Sequence, residues 1–212
     1  MVELVFTHAE LGGLKYRAMA EKCASTFVGD VTQLADMTSE PIKGATALVR
    51  LDFTTNNFAL KRIEALKDYL KSARGDIIAA DCDMVWKRET SPLFDTPFDI
   101  GLCWRTGSPD MPYYAGFVMI RHGSEAARQF ITDWWFTVAC QPKELQPWWG
   151  DQLALAALLG QQKPNTTVDI NGCMVRIFDA GRVFYNMQSD GQKYPDGVYA
   201  IHFKGDKKGL IE

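Results

Sequence analysis

The sequence predicts an α/β protein, a single domain with a mostly parallel central sheet flanked by helices. Three observations point there. Short apolar runs suited to strands alternate with stretches whose apolar residues recur at helical spacing. The hydrophobic fraction of 47% and charged fraction of 23% are those of a soluble globular chain. A length of 212 residues supplies one sizeable core and is short for two.

VELVFT (2–7) reads as a first buried strand. Tyr16, Met19, Ala20, Cys23 and Phe27 then predict a helix. VTQL (31–34) is a short strand, and residues 36–46, with Pro41 and Gly44, read as loop. ALVRL (47–51) is another strand. Ala59, Ile63, Leu66, Leu70 and Ala73 mark one face of a second helix, capped by Asn57 and ended by Gly75. DIIAA (76–80) follows as a strand. In the second half DIGLCW (99–104) and AGFVMIR (115–121) are strand-length apolar runs. Ser124 caps a helix whose Ala127, Phe130, Ile131, Trp134, Trp135 and Val138 share a face. Pro142 and Pro147 bracket a loop, and Asp151 opens the helix DQLALAALLG. MVRIF (174–178), RVFYN (182–186) and VYAIHF (198–203) read as strands, and KGDKKGLIE (204–212) as a polar tail. No internal repeat or linker divides the chain.

Net charge is -3 and no strongly basic run occurs, which disfavours duplex nucleic acid as a partner. No apolar run reaches the roughly 18 residues of a transmembrane segment, and Met1-Val2-Glu3 lacks the basic start of a secretory signal. Five widely spaced cysteines without a CxxC pattern fit a reduced, cytoplasmic protein with no structural zinc.

The chemistry gathers at IIAADCDMVW (77–86). Side chains alternate along an extended segment, so Asp81 and Asp83 are expected to face one way and Cys82 the core. Open α/β sheets bind ligands beyond the carboxyl ends of their strands. Two carboxylates placed there repel unless a cation or protons intervene. Mg²⁺ or Mn²⁺ suits such oxygen ligands and would bring phosphates with it. Asp-x-Asp also arises by chance about once in a chain of this size, so position is what gives it weight. Near the other end, IHFKGDKKG (201–209) places His202 at a strand end, with Gly205 and Lys208 following at three-residue steps. A neutral imidazole can be a third metal ligand. Glycine permits close approach of a diphosphate, and lysine offers it charge. Alone, this stretch also reads as a surface histidine before a basic tail.

Together these stretches resemble the nucleotide-sugar glycosyltransferases of the GT-A fold, and within them glycosyltransferase family 8, the glycogenin and bacterial lipopolysaccharide galactosyltransferase type. IIAADCDMVW, YYAGFVMIR (113–121), GDQLALAALL (150–159) and HFKGDKK (202–208) occur in the family's order. The resemblance implies that Asp81, Asp83 and His202 hold Mn²⁺ or Mg²⁺ on the diphosphate of a UDP-sugar, with Lys208 and Gly205 also meeting the diphosphate. It implies a donor-contacting role for Arg62 and places uridine at the end of the first strand, near Thr7 and His8. It assigns Asp151 and Gln152 to the anomeric carbon. The implied activity is transfer of a hexose to a saccharide or other hydroxyl acceptor, with retention. Residues 1–104 then form a nucleotide-binding half, 105–203 an acceptor half, and 204–212 a diphosphate-contacting tail. Departures from the family pattern are Tyr114 where asparagine is usual, Leu153 where a second aspartate is usual, and Gly209 where proline follows the lysine.

Other readings remain beside these. Asp151 could simply cap its helix. Trp148 and Trp149 could be core, or could present flat faces to an acceptor sugar together with Tyr114. Asp81-Cys82-Asp83-Met84-Val85 also resembles the nucleophile motif of haloacid-dehalogenase-type phosphatases, with Asp81 attacking phosphorus. That family needs a late Gly-Asp-x-x-x-Asp, which neither Gly150-Asp151 nor Gly205-Asp206 completes. A sugar nucleotidyltransferase would need a glycine-rich loop that Leu11-Gly12-Gly13-Leu14 does not supply. A non-catalytic carbohydrate-binding protein of the same fold is the alternative outside enzymes.

Overall fold

The computed structural model describes residues 1–9, 16–52, 54, 57–105, 107–146, 149–187 and 193–203. Among these the strands are, in chain order, β1 (Val2–Thr7), β2 (Asp30–Asp36), β3 (Ala47–Leu51), β4 (Asp76–Asp81), β5 (Met84–Trp86), β6 (Ile100–Trp104), β7 (Tyr113–Ile120), β8 (Thr166–Ile170), β9 (Cys173–Asp179), β10 (Phe184–Met187) and β11 (Ala200–Phe203). The helices are α1 (Arg17–Thr26), α2 (Phe58–Tyr69), α3 (Glu125–Ala139), α4 (Gly150–Leu159) and the single turn α5 (Ala180–Val183).

Eight strands make the main sheet in the order β3-β2-β1-β4-β7-β6-β9-β8, and β10-β11-β5 form a small second sheet. β3, β2, β1 and β4 pair in parallel, as do β6 and β9, while β7 and β8 run against their neighbours. The parallel block builds outward from β1 to β2 and β3, and then returns to add β4 on the other side of β1. That reversal is a topological switch point, where open sheets form their ligand crevice.

Both faces of the sheet are covered, so its central strands are mostly apolar rather than alternating. The exception in β1 is buried Glu3, which accepts from Thr32 Oγ1 at 2.8 Å. β7 is buried along its whole length. In β1, Val5 joins the core beneath α2, α3 and α4, whereas Leu4 and Phe6 join the opposite core with Ala20, Cys23, Trp86 and Phe117. α3 starts as its sequence predicts: the Ser124 hydroxyl accepts from Ala127 N at 3.0 Å. Asn57 occupies the N-cap position of α2, but its Oδ1 instead accepts from Thr54 N at 2.9 Å.

Two local expectations change. Asp36 closes β2 instead of opening a loop, and residues 180–183 coil into α5 before β10 begins. β5 and β8 escape the pattern reading. β5 is three residues long, and β8 is a half-exposed edge strand with no buried stripe.

Candidate metal and donor site

Asp81 is the last residue of β4 and lies in register with Thr7 at the end of β1. The strand stops there. Cys82 and Asp83 form a turn, so Asp83 joins Asp81 through that turn and not by strand alternation. Cys82 accordingly reaches the cleft wall as well as the core. His202 arrives from β11, which pairs with β5 immediately after the turn, His202 opposite Met84. Phe203 N donates to the Asp83 carbonyl at 3.0 Å and locks the two segments together.

Asp81, Asp83 and His202 each present a ligand atom within 4.8 Å of the others. His202 Nε2 lies 3.2 Å from Asp83 Oδ1. Donors at about 2.0–2.2 Å from one ion stand no more than about 4.4 Å apart, so this set closes on a cation with small side-chain movement. Two carboxylates and an imidazole suit a divalent cation. Gly116 makes room: a Cβ there would lie 2.1 Å from Asp81 Oδ2.

Behind this triangle stands a charged relay. Arg62, from the first turns of α2, places Nη1 3.1 Å from Asp81 Oδ1 and Nε 3.2 Å from Asp151 Oδ2. Its Nη2 donates to the Ala115 carbonyl. Burial alone would lower the guanidinium's pKa, but the charges of Asp151 and Asp81 outweigh it and raise it. Tyr114 donates to Asp81 Oδ2 at 2.7 Å. Burial, with Asp81 and Asp83 close by, pushes its phenol well above the usual range, so it serves as a neutral donor.

Asp151 lies within the first turn of α4, where Trp149 holds the N-cap position with φ 73°. Its carboxylate is therefore not the cap. Oδ1 accepts from Gln152 N at 2.8 Å, and the Asp151 carbonyl accepts from Trp134 Nε1 at 2.8 Å. Gln152 Oε1 is buried with no hydrogen-bond partner among the described residues.

The cleft in front of these groups has a volume of about 600 Å³. Thr7, His8, Arg62, Asp81, Asp83, Tyr114, Trp149, Asp151, Gln152 and His202 all line it. His8 is buried with Nδ1 3.3 Å from Gln33 Nε2. Trp149 is 47% exposed at the rim, while Tyr114 is buried at the base, beneath the acidic pair. Gly205, Lys208 and Trp148 lie outside the described residues. Sequence reasoning missed Gly116 and Asn186, whose Oδ1 is 2.8 Å from His202 Nδ1. RVFYN announces a strand, but only its pairing with β11 brings Asn186 to the histidine.

By sequence the chain matches no protein-family model and no curated protein. By structure it matches a glycosyltransferase involved in the glycosylation of the major capsid of PBCV-1, with TM-score 0.64 and 12% identity over 99% of this chain and 96% of that one. The chain has the GT-A glycosyltransferase fold. An active-site mutant of LgtC matches with TM-score 0.59 and 15% identity, over 96% of this chain and 87% of that one. The glycosyltransferase GlyE of Streptococcus pneumoniae TIGR4 matches with TM-score 0.59 and 13% identity, over 97% of this chain and 56% of the other, so this GT-A chain spans little more than half of GlyE. All five cysteines of the GT-A chain are free thiols, and among the described residues no helix is long and apolar enough to cross a membrane.

Proposed function

We propose that this protein is a metal-dependent glycosyltransferase that moves a hexose from a UDP-sugar to the hydroxyl of a saccharide or similar acceptor, with retention of configuration. The observation that carries the reading is the Asp81–Asp83–His202 triangle at the switch point of a GT-A sheet. These three residues would hold Mn²⁺ or Mg²⁺, which when bound supplies positive charge to the oxygens of the departing diphosphate. Thr7 and His8 take the nucleoside at the end of β1, within a nucleotide half of residues 1–104. Gly205 and Lys208 meet the diphosphate from the tail, 204–212. Gln152 offers its buried oxygen to a donor hydroxyl. Trp149 presents an apolar face to the acceptor from the 105–203 half, and Trp148 is assigned to the acceptor with it. A full set of free thiols suits a reducing compartment such as the cytoplasm.

Retention rests on Asp151. Its two oxygens are occupied by Arg62 and by the amide of Gln152. A buried carboxylate so engaged orients neighbours well and is a poor general base, which inversion would require. The haloacid-dehalogenase reading gives way to the GT-A fold.

Calorimetry with UDP in Mn²⁺ and in EDTA tests the site, and equal affinity in both rejects it. Turnover of UDP-sugar separates the enzyme from a carbohydrate-binding protein. Proton coupling at the anomeric carbon of the product reports the stereochemistry, and an inverted product rejects retention.

A further inference from the structure

We propose that Asn186 is a positioning residue that selects the ring flip and tautomer of His202, leaving Nε2 bare toward Asp81 and Asp83. The inference rests on the metal-binding reading of that triangle and extends it to a residue outside it.

Asn186 on β10 and His202 on β11 are direct partners in a parallel ladder. Asn186 Oδ1 lies 2.8 Å from His202 Nδ1, and a carbonyl oxygen only accepts, so Nδ1 carries the proton. A neutral ring protonated at Nδ1 has its lone pair on Nε2, the nitrogen 3.2 Å from Asp83 Oδ1. Tyr114 does not consume that lone pair. Its single proton goes to Asp81 Oδ2 at 2.7 Å. Its oxygen is 2.9 Å from Nε2 and 3.2 Å from Nδ1, so it lies on the lone-pair axis of neither.

Packing cannot make this choice. The ring is held between Phe184, edge-on at 6.0 Å between centroids, and Tyr114 at 5.2 Å. An imidazole turned by half a rotation about its Cβ–Cγ bond presents nearly the same shape to both rings, with nitrogen and carbon exchanged. The hydrogen bond to Asn186 distinguishes the two flips, because only one brings an N–H to its oxygen. Partners of this kind outside the ligand set orient a ligating histidine and tune metal affinity.

The test uses the full chain and Asn186→Ala and Asn186→Asp variants, with thermal melting to confirm that each folds. Nitrogen-15 NMR of the metal-free protein in alkaline buffer reads the His202 tautomer, and calorimetry reads Mn²⁺ affinity. The wild type and Asn186→Asp, which keeps an acceptor, should hold the Nδ1–H tautomer. Asn186→Ala should mix the tautomers and weaken Mn²⁺ binding about tenfold. An unchanged tautomer and affinity in Asn186→Ala would overturn the proposal, as would failure of Asn186→Asp to preserve the tautomer. A wild type that binds no Mn²⁺ would instead reject the metal-binding reading, while the tautomer data would still judge Asn186.

Discussion

Arg62 Nε lies 3.2 Å from Asp151 Oδ2, joining a helix in the first half of the chain to a helix in the second. The same guanidinium reaches Asp81 at 3.1 Å. One cation therefore sets the spacing between the acidic motif and the carboxylate assigned to the anomeric carbon.

Replacing Arg62 by alanine leaves buried Asp151 and half-buried Asp81 without their counter-charge. The expected loss is about 2–4 kcal/mol, discounted from a wholly buried pair because Asp81 meets solvent. Arg62→Lys should recover part of the stability but little activity, since an ammonium cannot fork between two carboxylates. Urea unfolding with steady-state kinetics on both variants checks this, and equal activity in Arg62→Lys and wild type contradicts it.

Gly116→Ala should abolish cation binding while leaving the fold intact. The new Cβ would stand 2.1 Å from Asp81 Oδ2 and 2.8 Å from the Tyr114 ring, so the carboxylate must leave its place. Circular dichroism should be unchanged, and a Mn²⁺ titration should show no saturation. Normal Mn²⁺ binding would mean that Asp81 is not a ligand.

Asp83→Asn should eliminate activity, because a hard cation loses an anionic ligand. In a thermal-shift assay UDP with Mn²⁺ should raise the Tm of the wild type and leave that of Asp83→Asn unchanged. Lys208→Ala should lower kcat more than donor affinity if the lysine meets charge that grows as the glycosidic bond breaks. Unchanged kinetics in Lys208→Ala would remove the tail from the mechanism.

Asp36 gives a pH signature apart from the site. Burial works to raise its pKa, but hydrogen bonds from Ser39 and Thr38, hydroxyls and amides together, hold it well below the usual carboxylate range. A depressed folded-state pKa stabilises the protein above the unfolded value of about 3.9, and that stability is lost as pH falls below it. Asp36→Asn should therefore differ most from wild type near neutral pH, with the gap narrowing in acid. Urea midpoints across the acid range test it, and a gap independent of pH would contradict the assignment.

Much of this could be read along the chain. Short apolar runs and helical periodicities report local backbone preference and burial, so β1, β3, β4, α2 and α3 stand in the sequence nearly where they fold. Asp81 was legible because a buried strand ending in Asp-x-Asp is a local signal. The His202 stretch was legible because its residues are close in sequence. β5 and β8 were not, since three residues carry no period and an edge strand buries no stripe. Pairing and approach belong to tertiary structure. A turn, not strand alternation, brings Asp83 beside Asp81. The β5–β11 ladder delivers His202, and the packing of α2 beside α4 puts Arg62 between Asp81 and Asp151. Tyr114 became a buried donor to Asp81, 33 residues before it in the chain, because β7 pairs antiparallel with β4, a non-local neighbour that no local pattern encodes. Sequence determined which groups this protein has and which elements carry them. The sheet order, a matter of non-local hydrogen bonding and burial, decided which of them meet.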